Sequence, residues 1–217
     1  MSGSAPTIAE GAQGLLIFPF NGNALEALDC LGSAFRLDGF IDDSPSKQGM
    51  TSLAIPVHSR AGLAEFHHSQ VLAVPGSPSS FRSRRAVIES LGIEPSRFAR
   101  VIHPTARVSP LATIGRNVLI MAGVVVTSNA VIGDHVCVLP NTVIHHDAVI
   151  GAWSLIGSNV TIAGSTQIGE NCYVGSGSSI SNGLQIGAGS LIGLASSVIR
   201  GCEPASKLAG NPARPLP

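Results

Sequence analysis

The run Asn141-Thr142-Val143-Ile144-His145-His146-Asp147 sets two adjacent imidazoles beside a carboxylate. A neutral imidazole titrates near physiological pH and can take a proton from an attacking nucleophile. A neighbouring carboxylate orients the ring and stabilises the imidazolium as it forms. Acyl transfer to an amine or a hydroxyl needs such a base. The chain holds seven histidines, and these two form an adjacent pair beside an acid in the middle of the long repeat described next. A surface position without a role is the commonest fate of a histidine, so the elements that place these side chains have to decide between them.

From residue 102 an aliphatic residue recurs every six positions without insertion: Ile102, Val108, Ile114, Ile120, Val126, Ile132, Val138, Ile144, and on through Ile150 to Val198. A small residue follows four positions after most of them, as at Ala112, Ala130, Thr142, Ser154 and Ser190. A strand has a side-chain period of two, so each hexad reads as a short strand plus a turn, and three hexads close one triangular coil. Five coils at about 4.8 Å each stack to a prism about 24 Å tall. Glycines directly after the aliphatic residue, at Gly115, Gly133, Gly151, Gly157, Gly169, Gly187 and Gly193, are expected to serve turn conformations that a Cβ disfavours. The rule for parallel crossovers taken alone predicts a right-handed coil.

Residues 18 apart stack on one prism face. His146 then shares a column with Ser128, Gly164, Asn182 and Arg200, whereas His145 stacks with Thr127, Ala163 and Ser181. Gly164 leaves space one coil beyond His146, which favours His146 as the base. Cys137, the nearest cysteine in sequence, is assigned an inward position of the small-residue type, so no nucleophile is coupled to the base.

Ahead of the repeat, residues 14 to 42 read as strand, turn, helix, strand: Leu15–Phe18, the turn Pro19-Phe20-Asn21-Gly22-Asn23, a helix from Ala24 to Leu31, and a second strand ending at Asp42-Asp43. A further strand at Gln70–Val74 leads into Pro75-Gly76-Ser77-Pro78 and a helix carrying Arg82, Arg84 and Arg85. This is a small Rossmann-like α/β sheet, whose ligands sit at the carboxyl ends of the strands, here loops 19–23, 42–44 and 75–79. The domains are read as a flexible start over 1–13, the α/β domain over 14–100, the β-helix over 101–203 and a tail over 204–217.

The composition narrows the classes. Thirteen basic and thirteen acidic residues balance, which argues against nucleic acid or an anionic membrane as partner. A hydrophobic content of 44% demands a core, and aromatics at 4% with 25 glycines demand that it be built from small and aliphatic side chains. The four scattered cysteines, the lack of a signal-like start and the lack of a long apolar run read as a cytoplasmic protein with reduced thiols and no transmembrane segment.

The repeated aliphatic-Gly-x-x-small pattern resembles the hexapeptide-repeat acyltransferases, and most of all the sugar acetyltransferases that include sialic acid O-acetyltransferases and N-acetyltransferases of nucleotide-linked 4-amino sugars. The resemblance implies a left-handed parallel β-helix, a homotrimer with the site between prisms, and His146 as general base with Asp147 beside it. It implies coenzyme A along Gly164 toward the tail Leu208-Ala209-Gly210-Asn211-Pro212-Ala213-Arg214, with Lys207, Gly210 and Arg214 as cofactor contacts. It implies a nucleotide-linked sugar held by Gly22, Asn23, Asp42, Asp43 and Gly76, acetyl-CoA as donor and no metal. Three positions depart from it: Asn23, Leu139 and Leu155 stand where these enzymes carry His, Asn and His. The function expected is N-acetylation of a nucleotide-linked amino sugar, a 4-amino sugar favoured, for surface glycans. O-acetylation of a sialic acid-type sugar and a non-catalytic nucleotide-sugar scaffold stay open. A metal enzyme built on the same prism, with ligands from His135, His145 and His146, is the remaining alternative. A solvated turn is the plain reading of Asp42-Asp43, and a cap over the last coil is that of the tail.

Overall fold

The computed structural model describes residues 11–52 and 54–216. The first part is a five-stranded sheet in the order β3-β4-β2-β1-β5, formed by β1 (Gln13–Phe18), β2 (Phe35–Ile41), β3 (Thr51–Ser52), β4 (Ile55–His58) and β5 (Gln70–Ala73). All pairings are parallel except the β3–β4 hairpin. The short helices are α1 (Gly22–Glu26), α2 (Gly62–Glu65) and α3 (Arg84–Glu89). Asn21 caps α1, its Oδ1 accepting the N–H of Ala24 at 2.9 Å. Residues Leu15–Phe18 of β1 form an unbroken apolar run because both faces of the strand are covered there. Leu15 and Ile17 pack with Phe40 and Leu72 toward the prism, while Leu16 and Phe18 pack with Ile41, Leu63 and Ile88 on the other side.

The second part is a prism of parallel two- and three-residue strands. One face holds the strands from Arg107–Val108 to Ser197–Val198, the next those from Thr113–Ile114 to Gln185–Ile186, and the third those from Arg100–Ile102 to Leu191–Ile192. Partners are 18 residues apart, as in Val126↔Ile144↔Ile162, so the period-six reading holds. The aliphatic positions and the small positions four residues later fill a single interior cluster, buried almost throughout. At about 2–5 kcal/mol for each such Ile cut to Ala, the stack is a cooperative core made from a repeated unit. The prism is left-handed, against the crossover rule.

The glycine expectation needs correcting. Glycines 115, 133, 151, 157, 169, 187 and 193 all lie outside the left-handed φ region. They are glycine because the next coil is too close: a Cβ on Gly157 would lie 2.5 Å from the Ser176 nitrogen, and one on Gly151 2.5 Å from that of Glu170. The left-handed φ falls two residues further on at each corner, on Asn117, Asn129, His135, Asn141, Asp147, Trp153 and Asn159 among others. Asn and Asp tolerate that region better than other side chains, which accounts for the run of asparagines.

Cys137 also departs from expectation. It faces outward on the third face, between Leu119 and Leu155, under the α/β part. Burial pushes its thiol up to about 11. The whole outer column of that face, Val101, Leu119, Cys137, Leu155, Tyr173 and Leu191, joins the cluster that Leu15, Ile17 and Leu72 enter from the sheet. The tail runs as Lys207–Gly210 alongside Leu191–Ile192 and returns antiparallel through Ala213–Pro215, covering the end of the third face. Among the described residues no helix is long and apolar enough to cross a membrane.

Candidate active site

His146 and Asp147 sit at the corner between the first and second faces. The imidazole Nδ1 lies 2.7 Å from Asp147 Oδ2, and Asn129 Nδ2 donates to the other carboxylate oxygen at 3.1 Å. An ionised carboxylate only accepts, so Nδ1 carries the hydrogen and Nε2 keeps its lone pair for solvent or substrate. The hydrogen bond from His146, with that from Asn129, holds the Asp147 carboxyl below the usual range. The His146 side chain is 59% exposed. His145, the preceding residue, makes no such contact with an acid among the described residues.

Gly164 stacks over His146, and a Cβ there would lie 2.7 Å from the imidazole Cε1 and Nε2. The space opened by this glycine is therefore the place where the ring lies. Its carbonyl accepts from Gly183, whereas its N–H finds no acceptor among the described residues and stays available beside the imidazole. The Gly157 N–H is already spent on the Val174 carbonyl. Arg200 closes the same column three coils beyond His146, about 14 Å along the prism. It lines a hollow with Gln185, Glu203 and Arg214. Arg200 shares the His146 column in the sequence, where nothing local marks it as a ligand-binding residue. Lys207 falls in a neighbouring shallow hollow with Ser206 and Leu216, and Gly210 takes a φ of +100° in the tail hairpin.

The sheet reverses its winding between β1 and β5, so their carboxyl ends open the crevice where such sheets bind ligands. Asn21, Gly22 and Asn23 lie on one side and Gly76–Pro78 on the other. Asn21 Nδ2 crosses to the Val74 carbonyl at 3.3 Å. Asp42 is buried and already engaged, accepting from the N–H groups of Phe20 and Ser44 at 3.0 and 2.9 Å and from Lys47 Nζ at 3.0 Å. Burial pushes its pKa up, but the Ser44 N–H and Lys47 outweigh this and hold it below the usual range. It ties the β1 and β2 loops together. Asp43 is half exposed and takes both Arg60 Nε and Nη2, at 2.6 and 2.8 Å.

Loop 75–79 is pinned to the prism by groups that no local pattern announced. Arg84 is fully buried and donates to the carbonyls of Pro75 and His135, and burial lowers its pKa to about 10. The Asn117 side chain satisfies both the N–H and the C=O of Ala73, at 2.7 and 2.9 Å, as a strand partner would. His135 stacks on Trp153 at 3.8 Å. With the loop held there, Asn23, Leu139 and Leu155, the three departures from the resemblance, line one small pocket beneath the crevice. Among the described residues no three His, Cys, Asp or Glu side chains gather as metal ligands.

The crevice and the base occupy different edges. Leu139 and Gly157 lie at the corner between the third and first faces, so one whole side of the prism separates them from His146.

The model of the bacterial transferase hexapeptide (six repeats) family matches residues 111–145 and 129–164. No curated protein matches the sequence. Among solved structures, the acetyltransferase domain of PglB from Neisseria gonorrhoeae in complex with acetyl coenzyme A is 26% identical, with a TM-score of 0.82 over 95% of this chain and 100% of that one. A mutant of perosamine N-acetyltransferase from Caulobacter crescentus in complex with CoA and GDP-perosamine is 23% identical, with a TM-score of 0.84 over 95% and 98%. WeeI from Acinetobacter baumannii is 22% identical, with a TM-score of 0.81 over 94% and 100%. The matched repeats identify residues 111–164 as bacterial transferase hexapeptide sequence, and the sheet-plus-prism architecture gives the chain the fold of these acetyltransferases.

Proposed function

We propose that this protein is an acyl-CoA-dependent N-acyltransferase acting on the amino group of a nucleotide-linked amino sugar, a 4-amino sugar favoured, in the making of surface glycans. The observation that carries the reading is the Asn129–Asp147–His146 chain ending in a free Nε2 beside the bare Gly164. The C. crescentus and N. gonorrhoeae structures support it, since the first holds CoA and GDP-perosamine and the second acetyl coenzyme A. Acetyl-CoA is the donor these relatives suggest.

In the reaction the amine nitrogen attacks the thioester carbonyl carbon. The C–N bond forms, His146 Nε2 takes the amine proton, and the imidazolium is stabilised by Asp147. We assign to the Gly164 N–H, which has no acceptor among the described residues, the role of donor to the carbonyl oxygen as it gains negative charge. The C–S bond then breaks, and the departing thiolate takes up a proton to leave as coenzyme A. The cofactor lies along the His146 column, with its phosphates at Arg200 and Arg214.

The nucleotide crevice of the same chain is a prism side away from His146, so the site is completed by a second copy. We infer a cyclic trimer in which His146 of one prism faces the crevice corner of the next. Val131 and Val149, exposed on the second face, and the half-buried Val125 and Val143 of the first flank the His146 corner and supply the apolar contact.

The test is release of free coenzyme A from acetyl-CoA over a panel of nucleotide-linked 3- and 4-amino sugars and free sialic acid, with His146→Ala run beside it. Release with an amino sugar, lost in the variant, is the expected result. Release only with a hydroxyl acceptor, or unchanged release by the variant, contradicts the reading.

A further inference from the structure

We propose that the pocket beneath the crevice is an acyl-chain pocket, so that the protein favours donors of three or four carbons over acetyl. The inference rests on the acyltransferase reading above and adds the class of donor. The pocket offers about 90 Å³, the share of roughly three water molecules in the liquid and hence room for roughly three or four heavy atoms. Its walls include Cys137, Leu139, Leu155 and Tyr173 from the prism, with Pro78 from the loop after β5.

Its few polar atoms are mostly committed. The Ser77 hydroxyl is bonded to Ser79 and Ser80, the Asn23 amide reaches the Val74 carbonyl at 3.5 Å, and the Cys137 thiol stays neutral in its buried place. Between these apolar walls a sugar hydroxyl would exchange water for at most the Asn23 Oδ1 or the Tyr173 hydroxyl at the margin, whereas a methylene loses nothing by entering. Of the two reactants only the acyl chain is aliphatic along its length.

The closure of the pocket is built, not incidental. Gly76 takes a φ of +116°, and a Cβ there would lie 2.9 Å from Leu155 Cδ1, so the loop rests directly on that side chain. Arg84 and Asn117 hold the loop in place from below.

Burying one CH2 is worth about fourfold, so kcat/KM is expected to rise about fourfold for each carbon from acetyl through propionyl to butyryl, and to fall with longer chains. The experiment measures coenzyme A release for acetyl-, propionyl-, butyryl- and hexanoyl-CoA with one accepted amino sugar. The wild type is compared with Leu139→Phe, which narrows the pocket from a partly exposed position, and with Leu139→Ala, which widens it. Leu139→Phe should return the preference to acetyl, and Leu139→Ala should shift it toward hexanoyl. Binding of the same thioesters without acceptor, followed by calorimetry, supplies a readout that does not require turnover.

Acetyl-CoA as the best donor in all three proteins, with unchanged order of binding, overturns the acyl pocket while leaving the acyltransferase reading intact. The same donor order, combined with a lower rate for an acceptor carrying CH2OH at C6 than for one carrying a methyl there, assigns the pocket to the sugar instead and overturns the proposal equally. Absence of both release and thioester binding overturns the acyltransferase reading and the pocket with it.

Discussion

Replacing Gly164 by alanine should separate catalysis from folding. The backbone at Gly164 lies outside the left-handed region, so a Cβ is permitted by conformation, yet it would fall 2.7 Å from the His146 ring. An ordinary carbon contact is about 3.5–4.0 Å, so the ring has to move by about 1 Å. The obstacle is the exposed end of a flexible side chain, so the ring gives way rather than the prism. The cost in stability is small, because the solvent-exposed His146–Asp147 contact adds little and alanine recovers some stability by restricting the unfolded chain. For the reaction, a base misplaced by about 1 Å is expected to lose about 100-fold in kcat. Coenzyme A release at saturating substrates and a thermal melt on the same preparation measure the two effects. Gly157→Ala is the contrasting control, because its Cβ would meet the backbone of Ser176 and should cost about 1–3 kcal/mol of stability. Gly164→Ala with undiminished kcat, or with activity lost only in step with folding, would refute the placement of the ring as the reason for this glycine.

Asp147→Asn keeps a residue that tolerates the left-handed φ of +58° but turns an N–H toward His146 Nδ1, favouring the tautomer with Nε2 protonated. The expected loss is about 10²–10⁴-fold in kcat with an unchanged melting temperature, read by steady-state kinetics and calorimetry. Arg200→Ala should raise the KM for acetyl-CoA about tenfold at constant kcat, the value of one charge-assisted hydrogen bond, and a changed kcat with constant KM would speak against it. His135, held near a pKa of about 4 chiefly by burial, makes stability fall in acid. Its folded pKa is below the unfolded value of about 6.5, so between the two the unfolded chain binds the extra proton. Its contribution is complete above pH 6.5 and is lost as pH falls toward 4, by roughly 3 kcal/mol. Denaturant melts at several pH values should show this slope in the wild type and lose that part of it in His135→Asn.

Much of the prism was legible because each hexad repeats the same local decision, and residue columns follow from counting by 18. The pairing of His146 with Gly164 was readable in that way. The covering of the third face was readable too, since its outer column alone is apolar at every position from Val101 to Leu191, while the other two carry Arg, Thr, Ser or Gln. Reading residue 137 as an inward position overlooked that alternation. The reason for the post-aliphatic glycines was not legible, because close approach between coils and a left-handed φ both select glycine and only coordinates separate them. The ties of Asp42 to Lys47, and of Arg84 to Pro75 and His135, join residues whose neighbours in sequence give no sign of a partner. Such long-range polar contacts carry no periodic signal.

A site shared between copies requires that His146 of one copy serve the crevice of another. Two chains are co-expressed with different tags and isolated together, one carrying His146→Ala and the other Asn23→Trp, which fills the crevice, after each has been shown inactive alone. In a cyclic trimer that contains both chains, one of the three interfaces unites an intact His146 with an intact crevice, so about a third of the wild-type coenzyme A release should return. No recovered activity in verified mixed assemblies would place both halves of the site in one copy and contradict the account.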